Sequence, residues 1–140
     1  MKNPFLILAS LFGATGVALG ALGAHYLKGK FEAGIINEFQ YDAFDKATKY
    51  QLLHAIVLLF VFFLYTQNPV KLVKVSGWLF VVGILFFSGS IYALSTQNIS
   101  HISFSFLGPV TPLGGVLLIS GWVCLLIYSI KRKSQPKNNS

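Results

Sequence analysis

Four apolar runs, each about as long as a helix that crosses lipid, constrain this chain more than any other feature. A hydrocarbon core about 30 Å thick needs about 20 helical residues at about 1.5 Å each. The runs cover about 4–24, 47–65, 75–95 and 108–130. They are continuously apolar rather than alternating, which predicts helices and not barrel strands. Only 11% of residues are charged and 54% are hydrophobic, against about 25% charged in a soluble domain. A soluble chain of 140 residues could not hide that much apolar surface in one core. The expectation is an all-α membrane protein: a single four-transmembrane-helix bundle over 1–130, then a basic polar cytoplasmic tail over 131–140. The first run follows Lys2 and ends in small residues, as a secretory signal does. Its length favours a true span.

The links between the runs predict topology. Four spans place both termini on one side. That side then carries Lys2, Lys71, Lys74, Lys131, Arg132, Lys133 and Lys137, with no acid. The other side carries Lys28, Lys30, Lys46 and Lys49 against Glu32, Glu38, Asp42 and Asp45. Bases concentrate on cytoplasmic loops, so both termini are expected in the cytoplasm. The net charge of +7 therefore reports topology, and no nucleic-acid partner is expected. Asn68-Pro69 marks a turn that makes spans two and three a hairpin. In the longest link, 26–46, Asn37 and Gln40 have capping-box spacing. Ile36, Phe39, Ala43 and Ala47 fall on one face there and Glu38, Asp42, Asp45 and Lys49 on another. This pattern predicts an interfacial helix between spans one and two. The alternative is that span two simply begins early.

Small residues predict how the spans meet. Ala9, Gly13, Gly16, Gly20 and Gly23 are spaced 4, 3, 4 and 3 apart, a seam on one helix face. Lipid offers no hydrophobic push between helices, so association comes from close packing at small residues. Span one is thus expected to be the inner packing helix, its partner lying in the same chain or in a second copy. Gly89 in span three and Gly114 and Gly115 in span four are further packing candidates. A compact bundle leaves no pore through one copy.

Ionisable and polar groups inside a span are functional candidates by default. His54, Gln51, Ser88, Ser90 and Thr111 fall in the outward half of their spans, with His25 at the outer end of span one. One reading is an outward-facing polar pocket centred on His54 and rimmed by His25, Gln51, Ser88, Ser90 and Thr111, holding a small ligand or a lipid headgroup. The other is that these groups hydrogen-bond across helices and set their register; the second is preferred. No nucleophile–base–acid set is present, since all four carboxylates lie in one surface link, so catalysis is not expected. One cysteine, Cys124, excludes an intrachain disulfide or a cysteine metal cluster. No metal is expected, nor any cofactor: a haem between His25 and His54 is disfavoured by their different depths.

The stretches LGALGAH (19–25), YDAFDKATKYQLLHA (41–55), FSGSIYAL (87–94) and PVTPLGGVLLISGW (109–122) occur in that order. Together they resemble the YgdD-like, or transmembrane protein 256, family of small four-span membrane proteins of unknown function, over about residues 5–130. The resemblance implies an inner-membrane protein in bacteria and carries over no established activity. The family-like positions include His25, Gln51, His54, Ser88, Ser90, Thr111, Gly114 and Gly115. Tyr26 stands where a smaller residue is common in such proteins. The expected function is that of a structural or accessory membrane protein, packing with itself or with a larger membrane complex. A ligand-binding, transport-like role for the outer pocket is the alternative.

Overall fold

A computed structural model describes residues 3–133, with side chains described through residue 132. Of the expected basic tail, residues 134–140 lie outside the described part, as does Lys2. The described residues form four long helices and no strand: α1 (Pro4–Glu32), α2 (Glu38–Gln67), α3 (Lys71–Ser100) and α4 (Val110–Lys133). A 3-10 turn, Ser105–Leu107, leads into α4. Each helix exceeds its apolar run at one or both ends, because caps and not hydropathy set the boundaries. The Asn3 side chain accepts from the Phe5 N–H at 3.0 Å, and Pro4 occupies the first turn, where its missing N–H is harmless. At α2 the Asn37 side chain accepts from Gln40 N at 2.8 Å, and Gln40 Oε1 accepts from Asn37 N at 3.1 Å. That is the reciprocal capping box the spacing predicts.

The expected interfacial helix is not a separate element. The box at Asn37 starts a helix that runs uninterrupted for 30 residues to Gln67. The segment before it, Lys28–Glu32, continues α1. Residues 33–37 form only a tight turn, with Gly34 at φ 70°, a left-handed conformation that a side chain would strain. The assumed apolar face also differs. Phe39 is 81% exposed, while Gln40, Phe44, Ala47, Thr48 and Gln51 are buried. Burial of Gln40 is tolerated because its Oε1 accepts from both the Asn37 N–H of the cap and Asn98 Nδ2.

The helices alternate in direction. Phe5 at the start of α1 packs edge-on against Tyr65 near the end of α2 and Trp78 near the start of α3, with ring centroids 6.1 and 5.8 Å apart. Arg132 and Tyr128 of α4 reach the same end beside Leu64. This base-bearing end is the terminal end of the bundle. At the opposite, loop end, Leu27, Ile36 and Phe44 form a small buried cluster with Tyr92 and Ile99. The main core joins all four helices through Phe5, Leu58, Val61, Val73, Phe80 and Leu118.

Span one is not the inner helix. The most apolar windows of α1 and α4 are each 22% buried, against 44% for α2 and 39% for α3. The central pair is therefore α2 and α3, with α1 laid on α2 and α4 on α3. Glycine makes both layers possible. A Cβ on Gly16 would lie 2.7 Å from Leu52 Cδ2, on Gly20 3.3 Å from Thr48 Cγ2, and on Gly23 3.2 Å from the Phe44 ring. The seam thus nests on α2 of the same chain. Gly13 has nothing within 4 Å, nor has Gly89, so these two are not packing contacts. The α3–α4 contact is closer still. A Cβ on Gly114 would collide with the Phe86–Phe87 backbone, 2.7 Å from Phe86 C, whereas one on Gly115 would reach only ordinary contact at 3.8 Å from the Phe87 ring. Large apolar side chains face outward around the bundle, among them Val17, Phe60, Ile119 and Leu126, each at least 60% exposed. Such an apolar surface suits lipid or another membrane helix rather than water.

Candidate functional site

The helix order brings Gln51, His54, Ser88, Ser90 and Thr111 to the loop-end half of the bundle, but it separates them into pairwise contacts. Gln51, buried in α2, is the most connected. Its Nε2 donates to the Phe12 carbonyl and to Thr15 Oγ1, both at 2.9 Å, and its Oε1 accepts from Tyr92 Oη at 2.9 Å. One amide therefore ties α1, α2 and α3 together. Gly16 leaves the space: a Cβ there would lie 3.4 Å from Gln51 Nε2.

His54 lies one turn deeper on α2 and is 3% exposed. Its Nδ1 is 2.8 Å from the Tyr50 carbonyl, and Trp122 Nε1 of α4 lies 3.2 Å from its Nε2. An indole N–H can only donate. Nε2 must then accept, and Nδ1 carries the hydrogen donated to Tyr50. The ring is the neutral Nδ1–H tautomer, packed against Phe80 at 5.6 Å and Trp122 at 6.2 Å between centroids. Nδ1 carries the hydrogen and the one basic lone pair, on Nε2, accepts from Trp122, which leaves no lone pair for a metal or a haem iron.

The serines act two residues apart on different neighbours. Ser88 Oγ donates to the Ala47 carbonyl of α2 at 2.8 Å, and Ser90 Oγ lies 2.6 Å from Thr111 Oγ1 of α4. A π-helical turn, Leu85–Gly89, underlies this arrangement. The extra residue in the turn changes the facing of the helix beyond it. A second π turn, Gly23–Leu27, contains His25, which is exposed and belongs to no cluster. Among the described residues no buried side-chain nitrogen or oxygen lacks a hydrogen-bond partner. No three His, Cys, Asp or Glu side chains gather there either.

Thr15, Tyr92 and Trp122 are needed to complete these contacts and were not among the site candidates. Thr15 shares a face with Phe12, Gly16 and Leu19 at helical spacing, which is the signal that could have found it. Trp122 has no comparable signal, because which histidine its indole reaches depends on the stacking of α4 over α3.

The cavities are open grooves on the bundle surface, and His54 lines none of the larger ones described. A loop-end groove of about 510 Å³ between α2 and α3 is bordered by Asn37, Gln40, Ser95, Asn98 and Thr111. A terminal-end groove of about 710 Å³ lies along α3.

Residues 19–115 match the family model described as a protein of unknown function, DUF423. That range starts with the first quoted motif and reaches into the fourth. A UPF0382 membrane protein of Staphylococcus aureus (strain bovine RF122 / ET3-1) is 39% identical over 127 residues, 91% of this chain and 95% of that protein. The UPF0382 membrane protein YwdK of Bacillus subtilis (strain 168) is 37% identical over 91% of this chain and 96% of its own length. One from Haemophilus influenzae is 38% identical over 96% of this chain and 99% of its own. No solved structure matches the chain. The relatives are thus of the same size and same description as the resemblance of the four motifs implies, and the chain belongs to this DUF423 family of small membrane proteins of unknown function.

Proposed function

We propose that the protein is an accessory component of the bacterial inner membrane that works by packing, with a second copy or with a larger membrane complex, rather than by turning over a ligand. The observation that carries this reading is the closure of the polar set. Gln51, His54, Ser88, Ser90 and Thr111 each bond to a neighbouring helix, with the second His54 nitrogen bonded to Tyr50 of its own, and His25 is not with them. The alternative, an outward pocket for a small ligand or lipid headgroup, retains Thr111 alone of its six residues on the wall of the loop-end groove. The proposed orientation puts the terminal end in the cytoplasm, supported by Lys71, Lys74, Lys131 and Arg132 there and by the confinement of every acid to residues 32–45.

Affinity purification from membranes in a mild detergent, followed by native mass spectrometry, tests the reading. The expected result is a stoichiometric second copy or partner subunit. Lone monomers, together with a His54→Ala or Ser88→Ala protein that keeps its fold but loses a transport or binding phenotype, would overturn it in favour of the pocket.

A further inference from the structure

We infer that the terminal-end groove along α3 is a binding site for one anionic phospholipid. The groove is bordered by Lys71 and Lys74 at its mouth and walled by Val75, Trp78, Leu79 and Val82 of α3, with Leu117 of α4 at its deep end. Its volume of about 710 Å³ is in the range of small-molecule sites, and the wall beyond the lysines is apolar.

Length sets the occupant. Lys71 and Val82 are eleven residues apart on one helix, a rise of about 16 Å at about 1.5 Å per residue. One leaflet of a hydrocarbon core about 30 Å thick is about 15 Å deep. The groove thus spans one leaflet, with its basic mouth at the headgroup level and its apolar wall at acyl-chain depth. A single lipid standing in that leaflet has the same layout.

Charge sets the headgroup. Lys71 and Lys74 lie three residues apart, so both project from one face of the helix. Both are exposed, and the chain's four acidic residues all sit at the loop end, so nothing of opposite charge in the described chain neutralises them. Val70 occupies the N-cap and offers no side chain to the N–H groups of the first turn. Pro69, which lines the groove beside them, has no N–H to compete. The positive end of the helix dipole therefore adds to the two ammonium groups. A phosphodiester with its glycerol placed at the mouth meets all three. A lipid held there requires neither the proposed function nor a particular facing of the chain.

The test uses the full chain in nanodiscs of phosphatidylcholine with a minority of phosphatidylglycerol, and counts lipids retained after mild detergent extraction by native mass spectrometry. The wild type is expected to retain one phosphatidylglycerol at roughly thirtyfold preference, as two basic groups near an anionic headgroup imply. Lys71→Gln with Lys74→Gln is expected to abolish the preference. Lys28→Gln with Lys30→Gln, at the other end, is expected to keep it. A photo-reactive residue in place of Val75 is expected to capture phosphatidylglycerol. Absence of preference in the wild type, its survival in the Lys71/Lys74 variant, equal loss in the Lys28/Lys30 variant, or capture of a protein chain at position 75 would each overturn the assignment.

Discussion

Gln51 makes more hydrogen bonds to other helices than any other described residue, because a primary amide can donate twice and accept at the same time. Hydrogen bonds between membrane helices average about 0.6 kcal/mol and reach about 1.7. Removing all three of its bonds through Gln51→Leu is expected to destabilise the protein by about 2 kcal/mol, measured by unfolding in mixed detergent micelles. Tyr92→Phe should couple to it in a double-mutant cycle, since Tyr92 Oη donates to the same amide. Trp122→Phe removes the donor to His54 Nε2 while keeping an aromatic ring edge-on to it. A loss of about 1 kcal/mol is expected there, with no change in helix content by circular dichroism. The polar residues themselves were visible in the sequence, and so was the half of the bundle they occupy. Their partners were not. A backbone carbonyl such as that of Phe12 or Ala47 has no signature in side-chain pattern, and Gln51 and Ser88 each donate to one.

At the scale of the helix, glycine spacing announces a seam but not its depth. Gly13 fits the 4–3 register and touches nothing, whereas Gly114 sits on another helix's backbone. Gly114→Ala is therefore expected to destabilise by roughly 1–3 kcal/mol, because backbone cannot move aside as a side-chain tip can. Gly13→Ala and Gly89→Ala are expected to be neutral or slightly stabilising, by up to about 1 kcal/mol from helix propensity alone. Thermal aggregation of the three purified variants separates these outcomes. The caps of α1 and α2 were legible because Asn3-Pro4 and Asn37-Gln40 carry their own chemistry. The separate interfacial helix was a false expectation for a related reason: a charged, amphipathic first two turns look the same whether the helix then bends or, as here, runs straight into the span.

At the scale of the whole molecule, four antiparallel spans were readable from hydropathy, while the choice of central pair was not. Span one has the most conspicuous small-residue seam and yet lies at the edge, because a seam on one face specifies one neighbour and leaves the rest of the circumference to lipid. The proposed orientation predicts that Ser140→Cys, in a Cys124→Ser background, resists a membrane-impermeant maleimide in intact cells and Ser103→Cys reacts. The opposite pattern would reverse the assignment of cytoplasmic and outer ends. The π turn at Leu85–Gly89 has a consequence of its own for sequence drift. Closing it into an ordinary α turn with the same number of residues would swing everything downstream through about 100° about the helix axis. Tyr92 would then lose Gln51 and Asn98 would lose Gln40 in one step. Loss of one residue within the turn would cancel that swing, so this span can shorten by one at Leu85–Gly89 and keep its partners, whereas a loss in any other turn would turn them away.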